Sequence, residues 1–313
     1  MAAAFHNGRT MKRTGFLSIG LAIALLAGEG RSEKIGTYNI RYDNPGDRTT
    51  GNAWPQRAPV IAGLIRFHDF DIVGTQEGFR HQIDDLIPLL PEYECSSHGR
   101  DDGAAEGEQI AIFFKKGSYR RLDEGCFWLS ETPGRPSIGW DARQRRLCGW
   151  VKLRQRNGGE PFFVFVVHFD HKGPQSRQNS AKLVLSKVSR IAGTSRRFLM
   201  GDFNSNQSST TYRILEDSPL FTDAFLAAEI RYAPSGTANR FDPAVKTDSR
   251  IDHVFVPEDA KVKRFGVLTD TYRAAPAALR GKRASAKAPA PDVPVPAETK
   301  LPSDHFPVLV EIE

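Results

Sequence analysis

The sequence predicts a single α/β domain built on mixed β-sheets, with helices covering the outer faces. Three observations carry this reading. Residues 35–90 alternate strand, helix, strand, helix. The middle of the chain is a run of strands with a hairpin signal between two of them. Helix and strand then alternate again to the C-terminus, with no linker dividing the pattern and no internal repeat. At 313 residues with 40% apolar content, the chain is long enough and apolar enough to bury a sizeable core.

The elements follow from the spacing of apolar residues. Residues 35–40 read as a strand ending in polar Asn39, and 41–53 as a loop rich in Asp, Asn, Gly and Thr. Val60, Ile61, Leu64 and Ile65 then recur at helical spacing over 59–67. Residues 71–77 form a buried strand with Glu77 at its end, and 79–90 a helix with Ile83, Leu86, Ile87 and Leu90 on one face. Strands are expected at 110–115, 124–129, 147–153 and 161–169, with Asn157-Gly158-Gly159 turning the last pair. A helix over 176–191 buries Ala181, Val184, Leu185, Val188 and Ile191. A strand leads into Asp202, a short helix covers 211–215, a strand runs 250–256, and 306–311 closes the chain.

Two segments stand outside the domain pattern. Lys12 and Arg13 precede an apolar run over 16–27, followed by small residues near 28–32. That is the build of a signal peptide over residues 1–32, with Met11 an alternative start; an exported, periplasmic or secreted protein is expected. The run is too short for a membrane-spanning helix, which needs about 20 residues, so no stable membrane association is expected after cleavage. A single domain over 33–313 would then carry 39 basic and 36 acidic residues, a net of +3. This is too mild to indicate a nucleic-acid partner by itself. The second segment, 274–302, is rich in Ala and Pro and is read as a mobile loop. Its first half, with Arg273, Arg280, Lys282, Arg283 and Lys287, is either a solvated loop or a flap that steers polyanions. Cys95, Cys126 and Cys148 make no disulfide framework. A Cys126–Cys148 bridge and three separate thiols both remain open, and a monomer is expected.

The chemistry gathers at strand ends: Asn39, Glu77, His168, Asp170, Asp202, Asn204, Asp252, Asp304 and His305. Each alone reads as a hydrogen-bonded strand end or turn. Together they supply what phosphate-ester cleavage needs: carboxylates for a metal, a base for water, and donors for oxygen charge. Thr37-Tyr38-Asn39-Ile40-Arg41, Gly74-Thr75-Gln76-Glu77, His168-Phe169-Asp170-His171, Gly201-Asp202-Phe203-Asn204, Arg250-Ile251-Asp252 and Ser303-Asp304-His305 occur in one order. That order resembles the metal-dependent endonuclease/exonuclease/phosphatase superfamily, over roughly residues 34–313. Residues 127–133 with Gly139-Trp140-Asp141 are similar to an exported bacterial branch of it.

The resemblance implies a four-layer α/β/β/α sandwich of two packed mixed sheets with outer helices and the site at one rim. It implies Mg²⁺ or Mn²⁺ held by Glu77, with Asn39 and Asp304 assisting, since a hard cation takes oxygen ligands and keeps several waters. It casts Asp202 as the acceptor or orienter of the attacking water and Asn204 as its partner or a phosphate donor. His168 and His305 would donate to phosphate oxygens, and Asp252 would set the tautomer of His305. Whether Asp202 or His305 is the base stays open, because either fits near neutral pH. Asp170 reads as structural or as support for a second metal. Glu108 falls loosely near another acidic rim position, Arg41 and Arg177 as phosphate clamps or surface residues, and Trp54 and Arg57 as helix packing. The expected function is metal-dependent hydrolysis of a phosphodiester or phosphomonoester, with a nuclease acting on DNA or RNA first. A lipid or sugar-phosphate phosphoesterase is the alternative, and a non-catalytic binding module on the same fold the third.

Overall fold

The computed structural model describes residues 1–4, 32–274 and 297–313. The expected signal peptide and the middle of the Ala/Pro-rich segment lie outside the described residues. Among the described residues no helix is long and apolar enough to cross a membrane.

The order begins β1 (Glu33–Asn39), α1 (Trp54–Phe67), β2 (Ile72–Gln76), α2 (Arg80–Leu89), β3 (Tyr93–Gly99) and β4 (Gln109–Lys115). It continues with β5 (Tyr119–Trp128), β6 (Leu147–Gln155), β7 (Phe162–His168), α3 (Pro174–Ala192) and β8 (Arg197–Asp202). Then come α4 (Thr210–Glu216), β9 (Thr222–Asp223), α5 (Ala224–Ala227), β10 (Ile230–Tyr232), β11 (Asp252–Val256) and β12 (Val262–Val267). The hairpin-like pair β13 (Tyr272–Ala274) and β14 (Glu298–Lys300) precedes β15 (Val308–Ile312).

Two large mixed sheets result. One has the order β10-β12-β15-β1-β2-β4-β3, the other β5-β6-β7-β8-β11-β9. Alternation along each strand explains how they stack. On β2, Ile72 faces the other sheet while Val73 faces α1 and α2. On β7, Val164 and Val166 face inward, while Phe165 and Val167 meet Ala181, Val184 and Val188 of α3. Strands covered on both faces read as continuous apolar runs, which is why the sequence showed them so plainly. The sheets approach closely where Gly74 of β2 faces Val166 of β7. A Cβ at Gly74 would lie 2.5 Å from Val166 Cγ2.

The topology brings the polar strand ends to one rim. β1 and β2 are parallel, joined by α1, and end together at Asn39 and Gln76. β7 and β8 are parallel, joined by α3, and end together at His168 and Asp202. Carboxyl ends of parallel strands are where such sheets bind ligands. β15 runs antiparallel to β1, so residues 303–305, just before it, arrive at the same rim. β11 runs antiparallel to β8, so Asp252 opens its strand opposite Asp202 instead of ending one.

Several elements differ from expectation. α1 begins at Trp54, with Pro55 in its first turn, where a missing N–H costs nothing; Pro59 lies inside it. β3 and β12 were not anticipated because their sequences, YECSSHG and VKRFGV, are interrupted by polar and charged residues. Residues 272–274 and 298–300 pair as a ribbon, so the ends of the 274–302 segment are strand, not loop. Cys126 and Cys148 form no bridge, and all three cysteines are free. Cys126 sits opposite Gly149 and Cys148 opposite Phe127, which puts the two thiols on opposite faces of the β5–β6 pair.

The Gly74–Val166 contact gives a direct test of the stacking. Gly74→Ala should destabilise the domain by about 1–3 kcal/mol, the usual cost of overpacking a filled core. The shift would be read from urea denaturation midpoints; an unchanged midpoint would contradict this packing.

Candidate active site

The rim is built around three backbone positions that few side chains tolerate. Arg41, Glu77 and Asn204 all have left-handed backbones, with φ of 57°, 70° and 46°. Such conformations persist where surrounding structure enforces them, and they gather at functional sites. Gly201, with φ of 146°, would bring a Cβ to 2.0 Å from Val167 O, so only glycine fits before Asp202.

Asn39, fully buried at the end of β1, joins the two sheets. Its Nδ2 donates both to Glu77 Oε1 and to Asp202 Oδ2, each at 3.1 Å. Arg41 N donates to Asn39 Oδ1 at 3.0 Å, which fixes which end of the amide faces the acids. Tyr42 N donates to the other Glu77 oxygen at 3.2 Å. Ser303 Oγ donates to Asn39 O at 2.6 Å and ties the terminal motif to β1. Asn239 N and Arg240 N donate to Asp304 O, so residues 239–240 hold that motif from the far side.

Asp202 Oδ2 is the focus. Besides Asn39, it has His168 Nε2 at 3.5 Å and His305 Nε2 at 3.9 Å. The two imidazoles differ in their other nitrogen. His305 Nδ1 lies 2.8 Å from Asp252 Oδ2. Burial opposes charge on His305, but Asp252 and then Asp202 outweigh it and hold its pKa well above the usual value. His168 Nδ1 lies 2.8 Å from Arg146 Nη1. Burial and the Arg146 charge hold His168 well below the usual value. Burial and the neighbouring Asp252 push the Asp202 carboxyl up, with His305 pulling against them.

The remaining sequence candidates divide clearly. Asp170 accepts from the backbone N–H groups of Arg143, Gln144, Lys172 and Gly173, the structural of its two readings. Burial alone would raise its carboxyl, yet those donors bring it below the ordinary range. Asn204 N caps Asp202 Oδ1 at 2.8 Å and Asn204 Nδ2 donates to Phe169 O at 3.0 Å, leaving one side-chain N–H for a ligand. His253, the neighbour of Asp252 on β11 and not among those candidates, is buried with Nε2 2.9 Å from Ser205 O. Arg41 pairs with Asp304 and Asp47, and Arg177 donates to Asp170 O. Arg57 does more than pack. Fully buried, it donates to the carbonyls of Ile40, Arg41, Asn52 and Pro302, which bracket Asn39 and Ser303. Arg146 was missed, because a lone Arg in the basic run 143–146 carries no sequence signal of burial.

Two donor sets are candidates for a divalent cation. Asp202, Asp252 and His305 offer ligand atoms within 4.8 Å of one another. There, however, His305 and Asp252 already satisfy each other. Glu77 and Asp304 offer only oxygens, the donors Mg²⁺ and Mn²⁺ prefer. Asn39, expected to assist them, turns its Nδ2 to Glu77 and Asp202 and its Oδ1 to Arg41 N, so it orients the acids and does not offer a ligand oxygen. Burial pushes the Asp304 carboxyl up, and the Glu77 charge adds to the rise against His305 and Arg41. Mutually repelling acids at a rim fit a bound cation, so the oxygen set is the better match.

Comparison with known proteins accords with this geometry. A sequence profile described as the Endonuclease/Exonuclease/phosphatase family matches residues 36–305. A Bacteroides thetaiotaomicron protein of that family is 42% identical, with TM-score 0.82, covering 90% of this chain and 97% of its own. A mannosyl-6-phosphatase from the same organism is 41% identical, with TM-score 0.82, covering 90% of this chain and 100% of its own. An uncharacterised protein of Acanthamoeba polyphaga mimivirus is 26% identical over 160 residues, which span 49% of this chain and 60% of the viral protein. With the profile matching most of its length and these relatives sharing its fold, the chain belongs to the Endonuclease/Exonuclease/phosphatase family of phosphoesterases.

Proposed function

We propose that the protein is a divalent-metal-dependent phosphatase that hydrolyses a phosphomonoester on a small sugar. The observation that carries the chemistry is Asp202 Oδ2 set between the Nε2 atoms of His168 and His305, the first backed by Arg146 and the second by Asp252, with Asn39 Nδ2 joining it to Glu77. A charged and a neutral imidazole flanking one carboxylate suit in-line attack of water on a tetrahedral phosphate. The substrate class is supported by the likeness to a mannosyl-6-phosphatase along nearly the whole chain. The mixed-sign wall beside His168, where Arg100 pairs with Glu108 and Arg145 with Asp101, suits a hydroxyl-bearing group.

Glu77 and Asp304 would hold Mg²⁺ or Mn²⁺, with Asn39 orienting Glu77 through its Nδ2. Bound there, the cation would neutralise phosphate charge and lower the pKa of water. The protein's own residues do the rest. Asp202 Oδ2, kept aimed by Asn39, accepts the proton of the attacking water as the water oxygen bonds to phosphorus; the P–O bond to the sugar breaks, and the leaving sugar oxygen takes up a proton from solvent. His305, charged through Asp252, donates from Nε2 to a phosphate oxygen as negative charge builds. His168 donates from the opposite side. Ser303 and Arg57 hold the chain segments that carry Asn39 and Asp304.

A nuclease is the second reading. The basic residues that favour it, Arg280, Lys282, Arg283 and Lys287, lie outside the described residues, and the net charge of 33–313 is small. The reading therefore gains little support.

Two outcomes are expected. The purified protein should release phosphate from mannose 6-phosphate in the presence of Mg²⁺ or Mn²⁺ and lose that activity in EDTA. Asp202→Asn should lower kcat by roughly a hundredfold or more, as loss of a general base does. Faster cleavage of plasmid DNA or of bis-p-nitrophenyl phosphate than of any phosphomonoester would overturn the substrate reading. Separately, saturating Mn²⁺ should raise the Tm of the wild type, since a ligand that binds only the folded state stabilises it. Glu77→Gln should abolish most of that rise; an equal rise in both proteins would move the metal elsewhere.

A further inference from the structure

Arg146 is a buried cation on the wall of the site, at 6% exposure, and its shortest side-chain contact is to an imidazole, at 2.8 Å, with the carboxylates of Glu108 and Asp170 farther off at 3.7 and 3.9 Å. Its position is enforced from several directions. Leu129 N donates to Arg146 O at 2.8 Å as the chain enters β6. Arg143 N and Gln144 N, just before it, are held by Asp170 Oδ2. Glu108 Oε2 lies 3.7 Å from Arg146 Nη1 and 2.6 Å from Arg100 Nη1, so Arg100 and Glu108 prop the guanidinium. Glu108 in turn pairs with Phe79 across an isolated bridge, in the same turn that presents Glu77. The other edge of the guanidinium donates from Nη2 to His171 Nδ1 at 3.2 Å.

This arrangement dictates a proton position. Arginine is a donor only and keeps its charge at any working pH. The nitrogen it faces at 2.8 Å, His168 Nδ1, must therefore accept. A neutral imidazole with Nδ1 accepting carries its single proton on Nε2. That nitrogen is the one directed at Asp202 Oδ2, 3.5 Å away. A second proton on His168 would have to sit on Nδ1, against an N–H of the guanidinium. His305 is wired the other way, with Nδ1 giving its proton to Asp252.

We propose that Arg146 is a positioning residue that fixes His168 as the neutral Nε2–H tautomer, a standing hydrogen-bond donor to the phosphate. In this arrangement His168 takes no part in proton transfer, which is left to Asp202 and His305. The proposal rests on the reading that His168 faces a phosphate ester, and it assigns Arg146, Glu108 and Arg100 a task in that site.

The test is a long-range ¹H–¹⁵N correlation spectrum of ¹⁵N-histidine-labelled full-length protein, with His168 assigned by the signals lost in His168→Gln. The wild type should show the Nε2–H pattern at His168 without substrate or metal. A wild-type Nδ1–H or doubly protonated pattern would overturn the proposal, and this arm needs no variant of Arg146. Arg146→Lys keeps a donor and should keep the Nε2–H pattern, with kcat within about tenfold of wild type. Arg146→Met removes the donor and should mix the tautomers, lowering kcat by about a hundredfold while KM changes less, the scale for a lost transition-state donor. If Arg146→Met folds and retains both the pure Nε2–H pattern and full turnover, Arg146 does not set the tautomer. Failure of the wild type to hydrolyse sugar phosphates would strike the substrate reading alone, because the tautomer is read without substrate.

Discussion

The site depends on one side-chain amide that crosses the interface between two sheets. Asn39 belongs to β1 and Asp202 to β8, and their 3.1 Å hydrogen bond fixes the offset of the two strand ends. The same amide reaches Glu77, so the proposed metal ligand and the proposed base are referred to one donor. A bond of this kind requires that the sheets meet at a set distance. Gly74 against Val166 provides that closeness in the core behind it. Arg57 holds the rim from below by taking four carbonyls on one guanidinium. A buried cation bonded to four carbonyls avoids the penalty of an unpaired charge, and its removal would strand those carbonyls.

Around that amide the backbone is held in conformations that side chains disfavour. Arg41, Glu77 and Asn204 each turn the chain sharply just past a strand end. The gain is direction. A residue in the left-handed region sends its carboxylate or amide across the rim instead of along the strand. The regular sheet supplies the stability that this geometry draws on, and the strands feeding the rim are among the most thoroughly buried parts of the chain.

Much of this was readable in advance, for physical reasons that can be named. Strands covered on both faces announce themselves as apolar runs, so β2, β7 and β8 were legible, and with them the positions of Glu77, His168 and Asp202. Edge and mixed-polarity strands are not so marked, which hid β3 and β12. The grouping of Asn39, Asp202, Asp252 and His305 followed from strand ends and ordered motifs. Their partners did not. Arg146 and Arg57 look like any surface arginine in the sequence, because burial of a guanidinium depends on acceptors supplied from distant segments. Nor could spacing exclude a Cys126–Cys148 bridge; only the register of β5 against β6 put the two thiols on opposite faces.

The two histidines summarise how environment assigns chemistry. Both face Asp202, and neither differs in type. An aspartate behind His305 favours its charged form, while burial and an arginine behind His168 disfavour it. In the proposed function, a cation on the Glu77 side of Asp202, and not within the Asp202–Asp252–His305 group, would tie these groups to phosphate hydrolysis. Anomalous diffraction from a crystal soaked in Mn²⁺ tests that division most directly. An anomalous peak liganded by Glu77, with Asp304 beside it and the His305–Asp252 hydrogen bond intact, is the expected result. A peak liganded by Asp202, Asp252 and His305, with that hydrogen bond broken, would contradict it.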